Sequence, residues 1–235
     1  MQSGERVADL SRRAAIVTLV AAVSGCTSIR FPRDTPPPTV PSIPPSAPEV
    51  APSPAPSGRV NAHVSPAVAR AIDHVLSQPS EHSRAAVLDF SAHSSAPRFH
   101  VVDRASGLVL QSFRVAHGYG SEGKHHDGYA EFFSNVPNSN ASSLGLYRTA
   151  ETYPSDIYPG LAMRMDGLSL TNSNARSRFI VIHAAKYMEP ESWKGKKAGR
   201  PGLSDGCFAF SQADRDAVIA ELQGGALIYA ICEKA

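Results

Sequence analysis

Apolar residues change their spacing at a few sharp points along this chain, and each change marks an element. Val68, Ile72, Val75 and Leu76 fall on one face of a helical wheel. Ser65 stands where an N-cap belongs, and Pro66 fits the first helical position. These signals predict a helix from there to about Gln78, where Gln78-Pro79-Ser80 stops it. The period then shortens. Residues 86–90 are mostly apolar, residues 98–103 alternate, Ala105-Ser106-Gly107 reads as a turn, and residues 108–115 return. That is a β-hairpin. Residues 161–165 and 168–170 are further strand candidates, and residues 179–183 read as a fully buried strand. Residues 212–222 look helical, Gly224-Gly225 ends that helix, and residues 226–231 form a last strand. The pattern predicts a mainly β domain with one helix before the strands and one near the end, and no internal repeat.

The first 62 residues follow neither period. Arg6, Arg12 and Arg13 flank a short apolar run over residues 14–23, which is shorter than a bilayer-spanning helix needs. The run ends at Val23-Ser24-Gly25-Cys26. Small residues directly before a cysteine resemble a bacterial lipobox, in which the cysteine becomes the lipidated first residue of the mature protein. Acyl chains on Cys26 would contribute about 0.8 kcal/mol per buried methylene to membrane binding. An ordinary secretory signal cleaved nearby is the alternative, and Ser11-Arg12-Arg13 is a weak twin-arginine signal. Thr27, where an aspartate would signal retention, favours the outer membrane by resemblance to Gram-negative sorting. Residues 31–57 are dominated by proline with Ser, Ala, Thr and Val. They have too little bulk to build a core. As an extended tether at about 3.1 Å per residue they allow a reach on the order of 100 Å. The expected organisation is a signal with its lipobox cysteine over 1–26, a tether over 27–62 and a catalytic domain over 63–235.

Composition narrows the function without naming it. The 235 residues carry 23 basic and 21 acidic side chains, a balance that argues against nucleic acid as a partner. The hydrophobic content of 42% is enough for one core. Three cysteines in an exported chain need an account. With Cys26 assigned to an anchor, Cys207 and Cys232 either pair or stay apart. The apolar run that leads into Cys232 favours a small buried thiol there.

The chemistry concentrates in two places. His183 ends the buried strand, and Cys207 follows it in Ser204-Asp205-Gly206-Cys207. A histidine that takes a proton and a thiolate that attacks a carbonyl are the minimum set for nucleophilic catalysis. Glycine beside the cysteine permits close backbone approach, and N–H groups near Gly206 and Cys207 would suit an oxyanion. Each residue alone also has a structural reading, as a buried cysteine or a satisfied core histidine. Between them, residues 188–203 are polar and read as a mobile loop over a cleft. His117, His125, His126 and Asp127 lack metal-ligand spacing, so neither metal nor cofactor is expected. His125 and His126 read as surface residues.

At these residues the chain resembles the catalytic domain of the bacterial L,D-transpeptidases, in the YkuD-like superfamily and its murein branch. The resemblance rests on six ordered phrases. They are His117-Gly118-Tyr119-Gly120-Ser121, Phe133-Ser134-Asn135, Ser142-Ser143-Leu144-Gly145-Leu146-Tyr147, Asp166-Gly167-Leu168, Val181-Ile182-His183-Ala184-Ala185 and residues 199–207. It implies a β-sandwich-like domain whose cysteine attacks the bond between the L-centre and D-Ala in a peptidoglycan tetrapeptide stem. A second stem, or water, resolves the acyl-enzyme. It implies Cys207 as nucleophile, His183 as base, Gly206 at the close-approach and oxyanion position, and Ser204 as support for the turn. Arg200, His117, Tyr147 and Asn135 become candidates for contact with the stem. The expected protein is a monomer, lipid-anchored on the periplasmic side. Asp205 stands where the common phrase has histidine, and Phe208-Ala209-Phe210 replace the usual polar residue after the cysteine.

Overall fold

In the computed structural model, residues 64–196 and 199–233 are described. The lipobox, the tether and the first residue of the expected domain lie outside them. Helix α1 spans Pro66–Ser77, and the Ser65 hydroxyl caps it by accepting the Val68 N–H at 3.2 Å. Strand β1 (Arg84–Asp89) follows, then β2 (Phe99–Asp103) and β3 (Val109–Phe113). The predicted hairpin is the antiparallel pair β2–β3, in register from Phe99 opposite Phe113. Strands β4 (Gly145–Pro154), β5 (Leu161–Gly167) and β6 (Val181–Ala184) come next. A four-residue helix α2 (Pro190–Trp193), strand β7 (Phe208–Phe210), helix α3 (Gln212–Leu222) and strand β8 (Leu227–Ile231) complete the order. The domain is therefore mainly β, with a helix before the strands and a helix near the end. α3 starts at the Ser211 cap, which accepts the Asp214 N–H, and stops before Gly224 and Gly225, both at positive φ.

All eight strands form one sheet in the order β3-β2-β1-β8-β4-β5-β6-β7. The pairs β1–β8 and β6–β7 are parallel and the others antiparallel. Alternation along β1 divides the interior. Ala85 and Val87 meet Val68, Ile72 and Val75 of α1 on one face, while Ala86 and Leu88 join the main core on the other. That main core makes the sheet fold over on itself. The rings of Phe99 on β2 and Phe210 on β7, near opposite ends of the strand order, meet edge to face with centroids 5.2 Å apart. The chain leaving β3 seals the closure, where the Ala116 N–H donates to the Ala209 carbonyl at 2.9 Å and Gly118 bridges to Ser204.

Three expectations change. The ten residues of β4 were not recognisable as a strand, because only Tyr147 and Thr149 along them are fully buried. Residues 168–170 leave the sheet. The Asn172 side chain accepts the Ser169 N–H at 2.9 Å and turns the chain, and Leu170 is left 94% exposed. The polar stretch after β6 contains a 3-10 turn, Lys186–Met188, and α2, and it buries Met188 and Trp193. Cys207 and Cys232 are not joined in a disulfide, and Cys232 is half-buried against the main core.

Because the Phe99–Phe210 contact joins distant strands of the folded-over sheet, Phe99→Ala should cost about 3–5 kcal/mol of stability. Urea unfolding followed by circular dichroism measures it; a loss below about 1 kcal/mol would mean that the closure does not depend on this contact.

Candidate active site

β6 is buried at all four positions. Its neighbours are β5, with Met163 opposite Ile182, and β7, with Ile182 opposite Phe208 and His183 opposite Ala209. Ile182 and Phe208 point into the main core. His183 therefore points to the other face, and Cys207, one residue before β7, shares that face by strand alternation. Parallel pairing makes the two side chains diagonal neighbours. Both line one cleft of about 370 Å³, together with Tyr158 and Pro159 from the β4–β5 connection and Tyr187 and Leu203 from the stretch after β6. A second cleft of about 680 Å³ shares Pro159, Ala184, Ala185 and Lys186 with the first and continues past Glu189 and Ser192 to Asp216.

The histidine is held in one tautomer. Its Nδ1 lies 3.0 Å from the Ala184 carbonyl, which only accepts, so Nδ1 carries the proton and Nε2 keeps a lone pair. The Tyr158 ring stacks on the imidazole, with centroids 3.7 Å apart and planes at 23°. Burial lowers the His183 pKa to about 4, the nearby Arg215 adds to this, and the Ala184 carbonyl and Asp205 oppose it. The thiol is held as a thiol. Cys207 Sγ donates to the Phe179 carbonyl at 3.4 Å. Burial raises its pKa and Asp205 adds to that, while the Val181 N–H, the Tyr158 hydroxyl and Arg178 pull the other way. Tyr158 itself is pushed up to about 12 by burial and the neighbouring sulfur, so it remains a proton donor. Burial thus favours the neutral form of both the imidazole and the thiol.

The turn that presents the cysteine is built from backbone. Ser204 Oγ donates to the Cys207 carbonyl at 2.7 Å and accepts the Gly206 N–H at 3.2 Å. Gly206 has φ +108, and a Cβ there would stand 2.7 Å from the Ala141 carbonyl oxygen. Phe179, whose carbonyl holds the thiol, is a bulky residue at φ +56 and 69% exposed. Such backbone strain costs of order 1–3 kcal/mol and concentrates at functional sites. Arg178 pins the segment by donating to the carbonyls of Ser134 at 2.7 Å and Ala141 at 2.6 Å.

A family model described as the L,D-transpeptidase catalytic domain matches residues 57–231. The chain belongs to this family. Similar solved structures include an L,D-transpeptidase from Mycobacterium smegmatis, 14% identical, over 63% of this chain and 58% of that one, with a TM-score of 0.38. Bd1075 of Bdellovibrio bacteriovorus is 13% identical over 64% of this chain and 48% of that one, at 0.39. L,D-transpeptidase 1 of Mycobacterium tuberculosis is 14% identical over 63% and 61%, at 0.34. The chain spans between 48% and 61% of the length of these three structures. No curated protein matches it.

Within this L,D-transpeptidase domain the four residues expected to touch the stem are engaged elsewhere. Tyr147 is buried, with its hydroxyl donating to the Ser143 carbonyl at 2.8 Å. Asn135 ties two loops, donating to the Leu170 carbonyl and accepting the Asn174 N–H, each at 3.0 Å. His117 is fully buried beside Arg98, and Arg200 donates to buried Glu122 at 3.0 Å. Gly206 packs against the Ala141 carbonyl, and its N–H donates to Ser204 Oγ. Asp205 is exposed and lines the cleft, acting on His183 and Cys207 through its charge. Among the described residues no group of three His, Cys, Asp or Glu side chains is arranged to hold a metal, and His126 bonds Glu122 instead. Sequence reasoning missed Tyr158, which sits in a short polar connection with no apolar period.

The neutral pair sets a pH dependence. His183 is depressed in the folded state, so its neutral burial contributes stability above pH about 6.5 that is lost as pH falls through about 4. The acid limb of kcat/KM should therefore lie near pH 4–5 and not near 6.5. A pH–rate profile for acylation of Cys207 measures it; an acid limb at 6.5 would mean that the imidazole is solvated.

Proposed function

We propose that this chain is a peptidoglycan L,D-transpeptidase with Cys207 as nucleophile and His183 as base. The observation that carries the reading is the placement of both side chains on one face of paired strands, lining one cleft. The Cys207 proton passes to His183 Nε2 as sulfur attacks the carbonyl carbon between the L-centre and the terminal D-Ala of a tetrapeptide stem. The Tyr158 hydroxyl, which interacts with Cys207 and keeps its proton, is assigned to meet the tetrahedral oxyanion, since Gly206 N–H already donates to Ser204. The C–N bond then breaks, and His183 returns its proton to the departing amine of D-Ala. A thioester remains on Cys207. An acceptor amine attacks it and gives its proton to His183, the new amide forms, and the thiolate leaves and is reprotonated.

The second cleft favours transfer to an amine over simple hydrolysis. It meets the first at Pro159, Ala184, Ala185 and Lys186, so two peptide chains can approach one thioester from different sides. The reading also places the enzyme in the periplasm, anchored by lipid on Cys26 and carried toward the wall by the proline-rich tether.

Cys207→Ala should abolish D-Ala release from disaccharide tetrapeptides while the circular dichroism spectrum stays unchanged; undiminished release would sink the assignment. Imipenem should form a covalent adduct on Cys207, seen by intact mass, and a folded protein that takes no adduct would instead be a non-catalytic wall-binding protein. For the anchor, Cys26→Ser should move the protein from the membrane fraction to the soluble periplasmic fraction, and continued sedimentation with membranes would refute lipidation there.

A further inference from the structure

Two of the residues first read as substrate contacts, His117 and Arg200, converge on one buried carboxylate. Both side chains of the His117–Glu122 pair are wholly buried. Arg200 Nη2 reaches Glu122 Oε2 at 3.0 Å, with its guanidinium only 13% exposed. His117 Nδ1 accepts from Arg98 Nη2 at 2.9 Å, so its proton is on Nε2, which faces Glu122 Oε1 at 3.4 Å. That falls short of a hydrogen bond, and neither of the two facing atoms has another partner among the described residues. Arg98 is itself wholly buried and holds the Val115 carbonyl at 2.8 Å. A buried acidic group in such a place is tolerated because the Arg200 guanidinium pairs with it.

The two arms of this cluster grip the nucleophile turn from both sides. Arg200 lies on the stretch that runs into Ser204. The backbone of His117 pairs with the turn itself, since the Ser204 N–H donates to the His117 carbonyl at 3.0 Å and the Tyr119 N–H donates to the Ser204 carbonyl at 2.8 Å. The fit leaves no slack. A Cβ on Gly118 would stand 2.2 Å from the Asn140 carbonyl oxygen and 2.8 Å from Gly206 N. A shift of the His117 segment is passed directly to Gly206 and Cys207.

We propose that Glu122 is a positioning residue for Cys207, acting through Arg200 on one side of the turn and His117 on the other. The proposal rests on Cys207 being the nucleophile. It gives Arg200 a purpose that does not involve substrate. Displacement of a reacting group by about 1 Å is enough to cost roughly a hundredfold in rate.

The test uses the full chain with Glu122→Gln, Arg200→Gln, the double variant, and His126→Ala as a control. The His126 side chain also bonds Glu122 but is 73% exposed, and its link to Arg200 is through the backbone carbonyl, which His126→Ala retains. Acylation of Cys207 by imipenem is followed by intact mass, and alkylation of Cys207 by iodoacetamide is followed by peptide mass spectrometry. Glu122→Gln and Arg200→Gln should each slow acylation at saturating imipenem by roughly tenfold or more. Each should also speed alkylation, because a loosened turn exposes the thiol. The double variant should be no slower than the worse single variant, and His126→Ala should match wild type. If Glu122→Gln does not fold, Arg200→Gln and its control decide. Wild-type acylation and alkylation rates in the folded variants would overturn the proposal, as would multiplicative effects in the double variant. If wild type itself takes no imipenem, the functional reading fails, and the alkylation rates alone decide whether Glu122 holds the turn.

Discussion

Two short parallel strands decide where the histidine and the cysteine stand. β6 and β7 pair over three residues, with Ile182 and Phe208 turned into the core and His183 and Cys207 turned away from it. The apolar half of the pairing holds the polar half in register. A slip by one residue would bury the imidazole among phenylalanines and lift an isoleucine into the cleft. The rest of the fold serves this pair. The closure at Phe99 and Phe210 presses β7 against the opposite side of the folded sheet, and Ser204 and Gly206 shape the turn that delivers the thiol.

The electrostatics of the site follow from the same burial. Moving imidazole and thiol out of water disfavours the charged form of each, so the His183 pKa falls and the Cys207 pKa rises. Burial therefore works against a preformed thiolate–imidazolium pair. The cleft supplies local help for charge when it appears, from the Val181 N–H, the Tyr158 hydroxyl and Arg178 at sulfur, and from the Ala184 carbonyl and Asp205 at the imidazole. The aspartate that departs from the family phrase thus acts in both directions, favouring imidazolium and opposing thiolate.

Much of this was legible along the chain, for identifiable reasons. α1 and α3 carry their own caps, and the β2–β3 hairpin carries its own turn, so local signals sufficed. Cys207 and His183 stood out along the chain because few other roles call for that pair in that order. β4 was not, because a strand that buries little shows no alternation, and β7 was not, because three residues make no period. Three of the residues expected to touch the stem have partners within the chain that the sequence did not announce. His117 and Arg200 look like free chemistry in a sequence, but Arg98 beside His117 and Glu122 beside Arg200 are recognisable only once distant segments meet, and Tyr147 turns its hydroxyl back onto nearby Ser143. Tyr158 was missed by the same argument in reverse, since nothing in its connection announces the ring beneath which His183 lies.

The seal along β7 has a bearing on how a peptide is recognised. A strand at the end of a sheet ordinarily offers a row of unpaired backbone groups, and many proteins that bind extended peptides add the guest there as one more strand. Here that row is taken by the protein's own chain, through Ala116 at Ala209 and Gly118 at Ser204. Among the described residues, the outer edge of β7 is covered at Ala209, so the strand beside Cys207 is not open there for β-augmentation. A peptide that reaches Cys207 must be read by side chains of the cleft wall instead of by a backbone ladder.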